Sequence, residues 1–296
     1  MRQDRTVHPL VRPVLAWYAG QARDLPWRAA DRTPWGVLVS EVMLQQTPVA
    51  RVQPVWREWL ERWPTPAHLA AAPTSDLLRA WGPLGYPRRA LRLQEAARAV
   101  VERHGSVLPA TEAELRALPG VGAYTAAAVV AFAHGRRAVV LDTNVRRVLS
   151  RTLAGEALPP LHTMAEETRR ADAVLPADDD RAARWNVAAM ELGALVCTAR
   201  APRCDRCPVA DQCAWYLAGR PAPTTPRRSQ TWTGTDRQAR GRLMAVLRAA
   251  PGPVPEPDLT DAWDDPVQRA RALASLVADG LAVPAGTPVP SYGLPE

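Results

Sequence analysis

The sequence contains no lysine, so all 37 of its basic side chains are arginines. It also has a single phenylalanine, four cysteines and no apolar run that approaches the roughly 20 residues of a membrane-spanning helix. The N-terminal residues lead into no apolar segment of the kind that secretory signals contain. These absences exclude chemistry that needs a lysine amine, and they favour a cytoplasmic protein with no membrane partner.

The positive charge is concentrated in the first 220 residues. They hold 29 arginines against 22 acidic residues, whereas residues 221–296 hold eight of each, and the whole chain carries a formal net charge of +7. Because arginine binds phosphate well, this imbalance indicates a polyanionic partner. A merely basic surface is the alternative.

Helical patterns dominate the chain, and strand patterns are scarce. Apolar residues recur at helical spacing and are separated by proline and glycine breaks. The predicted helices cover residues 8–20, 33–46, 51–63, 75–81, 88–104, 111–119, 123–134, 144–153, 164–174, 182–196, 236–249, 256–263 and 266–280. The sequence therefore predicts an all-α fold. The Pro/Thr-rich residues 221–232 indicate a linker, and the helices and short hairpin-like end after it predict a small winged-helix-like domain.

All four cysteines lie close together, in the order Cys197-x6-Cys204-x2-Cys207-x5-Cys213. Four thiolates at such spacing suit a tetrahedral zinc site or an iron–sulfur cluster. Structural zinc sites more often have two close pairs, whereas this loop has one close pair flanked by single cysteines. The spacing favours a cluster, with zinc and unliganded cysteines as alternatives. A disulfide framework is not expected in a cytoplasmic chain.

A glycine-rich turn, LPGVGAYTA at 118–126, lies between two predicted helices. Gly120 and Gly122 let backbone N–H groups approach an anion, and the next helix begins with the positive end of its dipole. A helix–hairpin–helix of this kind binds a DNA phosphate without reading the base sequence. A tight turn with no ligand is the alternative.

Two carboxylates stand where acid–base chemistry could use them. Glu41 lies on an apolar face of the helix that starts near Pro34, which should raise its pKa as a general acid near neutral pH requires. The alternative is a glutamate at the edge of this face that reaches solvent or an arginine. Asp142 follows an apolar run where a helix begins, so it should cap that helix and stay ionised. A protonated acid and an ionised aspartate together suit cleavage of a glycosidic bond.

These motifs together resemble the adenine DNA glycosylases of the MutY type, a branch of the helix–hairpin–helix superfamily that also includes endonuclease III. The matching segments follow the family's order from residue 8 to about residue 215. They are LPWR at 25–28, SEVMLQQT at 40–47, LGY at 84–86, LPGVGAYTA at 118–126, LDTNV at 141–145 and the cysteine loop.

The resemblance implies a particular domain organisation. Residues 29–137 would form a six-helix barrel domain with the helix–hairpin–helix. Residues 1–28 and 138–220 would form an iron–sulfur domain, in which the four cysteines hold a [4Fe–4S] cluster. Residues 221–232 would be the linker, and residues 233–296 the winged-helix-like domain.

The resemblance also implies the reaction. In double-stranded DNA, adenine mispaired with 8-oxoguanine or guanine would be flipped into a pocket and removed. Glu41 would protonate adenine N7 and later help to activate water. Asp142 would stabilise the oxocarbenium-like sugar, Tyr124 would position Glu41, and Asn144 would orient the sugar side.

Further residues match DNA-binding positions of the family. Gln46 and Tyr86 match positions that fill or wedge the base stack around the lesion pair. The other candidate DNA- or substrate-binding residues are Trp27, Arg28, Leu44, Gln45, Gly120, Val121 and Gly122. For the aromatic residues and glutamines of this set, packing in the core or an ordinary place at a helix end is the alternative.

The absence of lysine distinguishes two branches of the superfamily. Endonuclease III-like enzymes cut the DNA strand through a Schiff base formed by a lysine in the hairpin helix. Tyr124 occupies the matching position here. The resemblance therefore predicts a monofunctional glycosylase that leaves an abasic site.

The sequence departs from the family at three places. Thr143 stands where the family usually has glycine, and Val187 where a glutamate or glutamine usually contacts the adenine. The residues after the linker are too few for the Nudix-like domain that usually helps to recognise 8-oxoguanine, as in actinobacterial members with a shortened end. The competing interpretations are another mismatch glycosylase of the superfamily and a non-catalytic, cluster-bearing DNA-binding protein. We expect a monomer that works at the bacterial nucleoid.

Overall fold

The structure, a computed structural model, describes residues 7–223, 232–286 and 289–296. The chain forms two compact units. Of the described residues, unit 1 contains 7–37, 110–116 and 121–223, and unit 2 contains 38–109, 117–120, 232–286 and 289–296. The domain boundaries predicted from the sequence stay a prediction.

Helices make up most of both units. They are α1 (Val11–Gln21), α2 (Pro34–Leu44), α3 (Val49–Arg62), α4 (Pro66–Ala71), α5 (Thr74–Trp81), α6 (Arg88–His104), α7 (Glu112–Arg116), α8 (Ala123–Phe132), α9 (Thr143–Leu149), α10 (Ala165–Val174), α11 (Asp179–Leu195), α12 (Ala214–Leu217), α13 (Asp236–Ala249) and α14 (Pro266–Ala278). The described strands are β1 (Val254–Pro255), β2 (Val283–Ala285) and β3 (Ser291–Gly293). The predicted all-α class is therefore confirmed. Among the described residues, none of the helices combines the length and apolarity that a membrane span requires.

The core of unit 1 lies between α1, α9, α10 and α11. Apolar side chains spaced along one face of each helix meet there, as expected for amphipathic helices that bury a stripe. Its largest member is Trp185, which is 2% exposed. A π-helical turn, Ser150–Ala154, follows α9 directly, so the single helix predicted over 144–153 changes its hydrogen-bonding pattern halfway.

Helices α3, α5 and α6 of unit 2 surround a cluster of buried indoles. The ring centre of Trp59 lies 4.7 Å from that of Trp63 and 5.5 Å from that of Trp81, and both pairs are edge-to-face. The sequence prediction missed α4, although Thr65 caps it and Pro66 occupies its first turn. A helix of six residues is too short to show a hydrophobic period, and only these two residues signalled it.

The last part of unit 2 consists of two helices and a small sheet. Helices α13 and α14 pack together, and the antiparallel strands run in the order β1-β3-β2. The helix predicted over 256–263 is wrong, because only a 3-10 turn, Glu256–Leu259, forms there. The backbone N–H groups of Thr260 and Ala262 donate to the carbonyl oxygens three residues before them, those of Pro257 and Leu259, so the segment forms 3-10 turns instead of an α-helix.

Candidate active site

Glu41 lies buried in the second half of α2. Helix α2 begins at Pro34, where Thr33 accepts a hydrogen bond from the backbone N–H of Gly36 at 3.0 Å. Glu41 is 5% exposed, and Ser40 before it is fully buried. Little of the residue therefore reaches solvent, so the solvent-exposed alternative to the predicted apolar setting is wrong.

The segment after α2 has an unusual backbone. Leu44 and Gln45 are half-buried, whereas Gln46 is exposed and has a φ of 57°. Tyr86 is 44% exposed and has a φ of 48°. A left-handed backbone is uncommon for residues other than glycine, and it persists only where the surrounding structure fixes it. Both residues that match wedge positions are thus exposed on strained backbone.

Arg89 holds both of these segments. It is more than half buried, and burial lowers the pKa of its guanidinium to about 10. Nη1 donates to the carbonyl oxygens of Val42, Met43 and Gln45 at 2.8, 3.0 and 2.6 Å. Nη2 donates to Thr47 Oγ1 and to the carbonyl oxygens of Leu84 and Gly85 at 3.0, 3.1 and 2.9 Å. The sequence prediction missed Arg89, because one arginine among 37 carries no local signal.

Replacing Arg89 by lysine should destabilise unit 2. A single ammonium cannot reach six acceptors on two segments, so buried carbonyl groups lose their donors. We expect the free energy of unfolding to fall by about 1–3 kcal/mol, measured by urea denaturation. Arg98→Lys is the matched control, because Arg98 lies exposed on the same helix with one 3.4 Å hydrogen bond to Ala70. Equal stability of the two variants would contradict this role of Arg89.

Trp27 and Arg28 lie on a 3-10 turn of unit 1, Pro26–Arg28. Trp27 is 5% exposed. Arg28 donates through Nη2 to the fully buried Glu191 on α11 at 3.0 Å, while its Nη1 is buried and has no hydrogen-bond partner among the described residues. The sequence prediction missed Glu191, which also accepts hydrogen bonds from the backbone and guanidinium of Arg23. Glu191 therefore fixes the orientation of Arg28.

The ion pairs of Glu191 with Arg23 and Arg28 should make the free energy of unfolding depend on pH. Burial alone would raise the pKa of Glu191, but the hydrogen bonds from Arg23 and the charge of Arg28 outweigh it and lower the pKa from 4.5 to about 2. Because the folded-state pKa is depressed, the stabilisation is complete above pH 4.5 and is lost as pH falls towards 2.

Glu191→Gln should therefore lower the free energy of unfolding by about 3 kcal/mol near pH 7, with a smaller difference from wild type at acid pH. Thermal unfolding between pH 3 and pH 7 measures this difference. Glu166→Gln is the control, because Glu166 forms an exposed ion pair with Arg169. A difference that does not change with pH would contradict the assignment.

The hairpin between α7 and α8 supplies the predicted glycines. Gly120, in unit 2, has a φ of 73°, and a Cβ placed on it would lie 2.7 Å from Cβ of Arg92. In unit 1, Val121 is buried and Gly122 is the exposed N-cap residue of α8. Tyr124 is half-buried in the first turn of α8. Glycine at 120 is therefore required by both backbone and space, and the N-terminus of α8 is accessible to an anion.

Asp142 caps α9, as the sequence predicts. Its Oδ1 accepts a 2.6 Å hydrogen bond from the backbone N–H of Val145, and its Oδ2 accepts one of 2.7 Å from the side-chain amide of Asn144. Burial raises the pKa of Asp142 above 3.8, against the opposing effect of these hydrogen bonds and the charge of Arg147. Each carboxylate oxygen is therefore fixed by a donor, and the residue is half-buried.

Hydrogen bonds connect Asp142 to the cysteine loop. Arg147 donates to the side-chain oxygen of Asn144 at 2.8 Å and to the carbonyl oxygens of Gly193 at 2.6 Å and Cys197 at 2.7 Å. A Cβ on Gly193 would lie 2.7 Å from Cβ of Asn144, so only glycine allows α11 this close to α9. Arg147 thus connects the backbone of the cysteine loop to the side chain of Asn144.

The four cysteines line one cavity of unit 1, together with Arg151 and Trp215. Arg151 donates to the sulfur of Cys197 at 3.3 Å, and its guanidinium lies 4.5 Å from the ring centre of Trp215. Burial raises the pKa of Cys207 to about 11, so a thiolate there needs a cation beside it. In the described part of the chain, no three His, Cys, Asp or Glu side chains form a group that could hold a single metal ion. Four sulfurs around a shared cavity fit a multinuclear cluster better than one zinc ion.

The structure thus brings some predicted residues together. In unit 1, Asn144 links Asp142 to Arg147, and Arg28 contacts Glu191. In unit 2, Arg89 links the segment of Gln45 to the loop before Tyr86. Glu41 belongs to unit 2 and Asp142 to unit 1. The two departures from the family, Thr143 and Val187, lie at the first residue of α9 and half-buried on α11.

Comparison with known proteins agrees with this architecture. Residues 39–171 match the HhH-GPD superfamily base excision DNA repair proteins, and residues 197–213 match the iron–sulfur binding domain of endonuclease III. An adenine DNA glycosylase of Mycobacterium tuberculosis (strain ATCC 25618 / H37Rv) is 53% identical over 270 residues, which are 90% of this chain and 88% of that protein.

Two solved structures share the fold. A thermostable thymine-DNA glycosylase has a TM-score of 0.64 and 28% identity, over 71% of this chain and 95% of its own. Endonuclease III in a non-covalent complex with DNA has a TM-score of 0.59 and 26% identity, over 71% of this chain and 96% of its own. These matches confirm the helix–hairpin–helix glycosylase fold and the [4Fe–4S] cofactor. The chain therefore belongs to the adenine DNA glycosylase family, whose members are DNA N-glycosylases of base excision repair.

Proposed function

We propose that this protein removes adenine mispaired with 8-oxoguanine or guanine in double-stranded DNA and leaves an abasic site. The observation that carries the proposal is the burial of Glu41, a residue that is 5% exposed within a largely apolar helix. Such a setting favours the protonated acid that departure of a purine requires. The relative from Mycobacterium tuberculosis that bears the name adenine DNA glycosylase supports the choice of base.

The proposed reaction begins when adenine is flipped out of the duplex. Glu41 gives its proton to adenine N7, so that the electron pair of the C1′–N9 bond leaves with a neutral base. Asp142 stabilises the positive charge that develops on the sugar, and its two hydrogen-bond donors keep it in place. Glu41, now ionised, accepts a proton from water as the water attacks C1′. Tyr124 positions Glu41, and Asn144 orients the sugar side.

DNA binding is proposed to use the hairpin and the strained segments. The backbone N–H groups of Gly120, Val121 and Gly122 take a phosphate, while Gln46 and Tyr86 enter the base stack beside the lesion. The residues that form the pocket and its approach are Trp27, Arg28, Leu44 and Gln45. The buried Nη1 of Arg28, with no partner among the described residues, is the donor that a flipped nucleotide would satisfy.

The cluster is proposed to be held by Cys197, Cys204, Cys207 and Cys213. Its role is to order the loop over 197–213, whose Cys197 carbonyl oxygen accepts a hydrogen bond from Arg147 on α9, the residue that also binds Asn144. We further propose that the protein acts as a monomer, with residues 1–28 and 138–220 as the iron–sulfur domain and residues 29–137 as the barrel domain. Its place of action is the DNA of the nucleoid.

The reaction is proposed to stop at base removal. A strand-cutting glycosylase of this superfamily uses a lysine amine at the hairpin helix, and this chain has Tyr124 there and no lysine at all. An abasic site breaks in alkali, whereas a lyase product is already broken.

The test uses three duplexes, with adenine opposite 8-oxoguanine, guanine or thymine, and a fourth duplex with thymine opposite guanine. Strand breaks are measured with and without alkali. We expect breaks at adenine opposite 8-oxoguanine and guanine, only after alkali. Breaks without alkali at the rate of base release would contradict the monofunctional mechanism, and release of thymine alone would favour another mismatch glycosylase.

A further inference from the structure

The C-terminal segment of unit 2, residues 232–286 and 289–296, is fastened to α5 and α6. Arg79 on α5 donates to the carbonyl oxygen of Ala250 at 3.2 Å. Asp279, at the end of α14, forms ion pairs of 3.1 Å with Arg88 on α6 and of 2.6 Å with Arg240 on α13. These contacts join α13 and α14 to α5 and α6.

Arg237 in the first turn of α13 lies against Tyr86. Its guanidinium carbon is 5.6 Å from the ring centre of Tyr86, and that of Arg89 is 5.8 Å from the same ring. The ring thus has one arginine from α6 and one from the C-terminal segment, while 44% of the residue stays exposed. Both distances lie within the range in which a cation is attracted to an aromatic ring.

Arg237 is exposed, and the acidic residue before it, Asp236, is engaged by the two nitrogens of Arg271 at 2.7 and 2.9 Å. The charge of Asp236 is therefore compensated by Arg271.

We infer that Arg237 is a positioning residue for Tyr86, through which the C-terminal segment takes part in recognising the base opposite adenine. The inference rests on the proposed function, in which Tyr86 enters the stack beside the lesion. It gives the short C-terminal segment the task that a Nudix-like domain has in other members of the resembled family. The neutral overall charge of the segment is no obstacle, because one arginine at the right place suffices.

The physical reason is the strained backbone of Tyr86. The hydrogen bonds of Arg89 to Leu84 and Gly85 hold the backbone next to Tyr86, whose φ is 48°. The residue itself is 44% exposed. Arg237 restricts where the ring can go before DNA arrives. A ring that is already positioned loses less conformational entropy when it inserts beside the lesion. This favours the duplex whose reaction depends most on insertion of Tyr86.

The test compares Arg237→Gln with Arg242→Gln in the full-length protein loaded with its cluster. Arg242 is a matched control, since it is exposed on the same helix and contacts an aromatic ring, that of Trp263, at 5.5 Å. Single-turnover rates are measured with adenine opposite 8-oxoguanine and opposite guanine. We expect Arg237→Gln to lower the ratio of the two rates by about three- to fivefold, as loss of one exposed cation–π contact would, and Arg242→Gln to leave it unchanged.

Two further readouts separate positioning from general loss of structure. Arg237→Lys, which keeps a cation beside the ring of Tyr86, should restore the rate ratio of wild type. Asp279→Asn, which releases the ion pairs to Arg88 and Arg240, should lower the rate ratio in the same direction.

The outcomes are distinct. A rate ratio of Arg237→Gln equal to that of wild type would overturn the inference and leave the proposed function intact. Equal loss in Arg237→Gln and Arg242→Gln would also overturn it, because the effect would not be specific to Tyr86. A wild-type protein that releases no adenine from either duplex would instead contradict the proposed function itself.

Discussion

Glu41→Gln should reduce single-turnover adenine release by about 10²- to 10⁴-fold, the contribution of a positioned general acid. Glutamine has the size of glutamate but no proton to give to adenine N7. The residue is 5% exposed, so bulk water cannot supply the proton from the same direction. Because the loss falls on the chemical step, DNA affinity should stay close to that of wild type.

The control for this variant is Glu58→Gln, which makes the same change at an exposed position of α3. Both variants should unfold at similar temperatures, since glutamine fills the volume of glutamate. Adenine release by Glu41→Gln at the rate of Glu58→Gln would show that Glu41 is only a buried carboxyl group of the core.

Asp142→Asn should reduce the same rate by about 10²- to 10³-fold without unfolding the protein. Asparagine caps a helix about as well as aspartate, so the start of α9 should keep its hydrogen bond from Val145. What is lost is the negative charge beside the developing oxocarbenium ion, together with the hydrogen bond from Asn144, which an amide nitrogen cannot accept. The variant therefore separates the capping role of Asp142 from its proposed role in catalysis.

Asp178→Asn is the matched control for this prediction. Asp178 caps α11 in the same unit, accepting a 2.9 Å hydrogen bond from the backbone N–H of Arg181. Equal unfolding temperatures with activity lost only in Asp142→Asn would support the electrostatic role. Equal activity of the two variants would reduce Asp142 to a helix cap.

The pH dependence of the rate of adenine release provides a second test of the role of Asp142. Burial raises its pKa above 3.8, and only the ionised form can stabilise a positive sugar. The wild-type rate should therefore fall on the acid side at a pH above 3.8, as Asp142 becomes protonated. The rate of Asp142→Asn should lack this acid limb when it is measured over the same range.

Local features of the site could be predicted from the sequence because they depend on neighbouring residues. The cap formed by Asp142, the start of α2 at Pro34 and the whole extent of α6 follow from capping residues, proline and hydrophobic period. Burial of Glu41 follows from the apolar residues that share its helix face. The cysteine loop is compact in sequence, and its cavity in the structure is equally local.

Residues that act across long sequence distances were missed for a physical reason. Glu191 and Arg23 are 168 positions apart, and Arg89 is 44 positions from the carbonyl group of Gln45 that it binds. Periodicity and capping describe only neighbours along the chain, so neither contact leaves a trace in them. Arg147 is similar, since its acceptors Gly193 and Cys197 are brought to it by the packing of α11 on α9. These arginines fix the site, although none of them stands in a recognisable motif.

The central claim is that the chain releases free adenine from a mispair. The most direct test incubates excess wild-type protein with a duplex that carries adenine opposite 8-oxoguanine, and measures free adenine by chromatography over a single turnover. We expect one adenine released per duplex, at a rate that Glu41→Gln lowers by about 10²-fold or more. Tight binding of the duplex by cluster-loaded protein with no adenine released would contradict it and indicate a DNA-binding protein without catalysis.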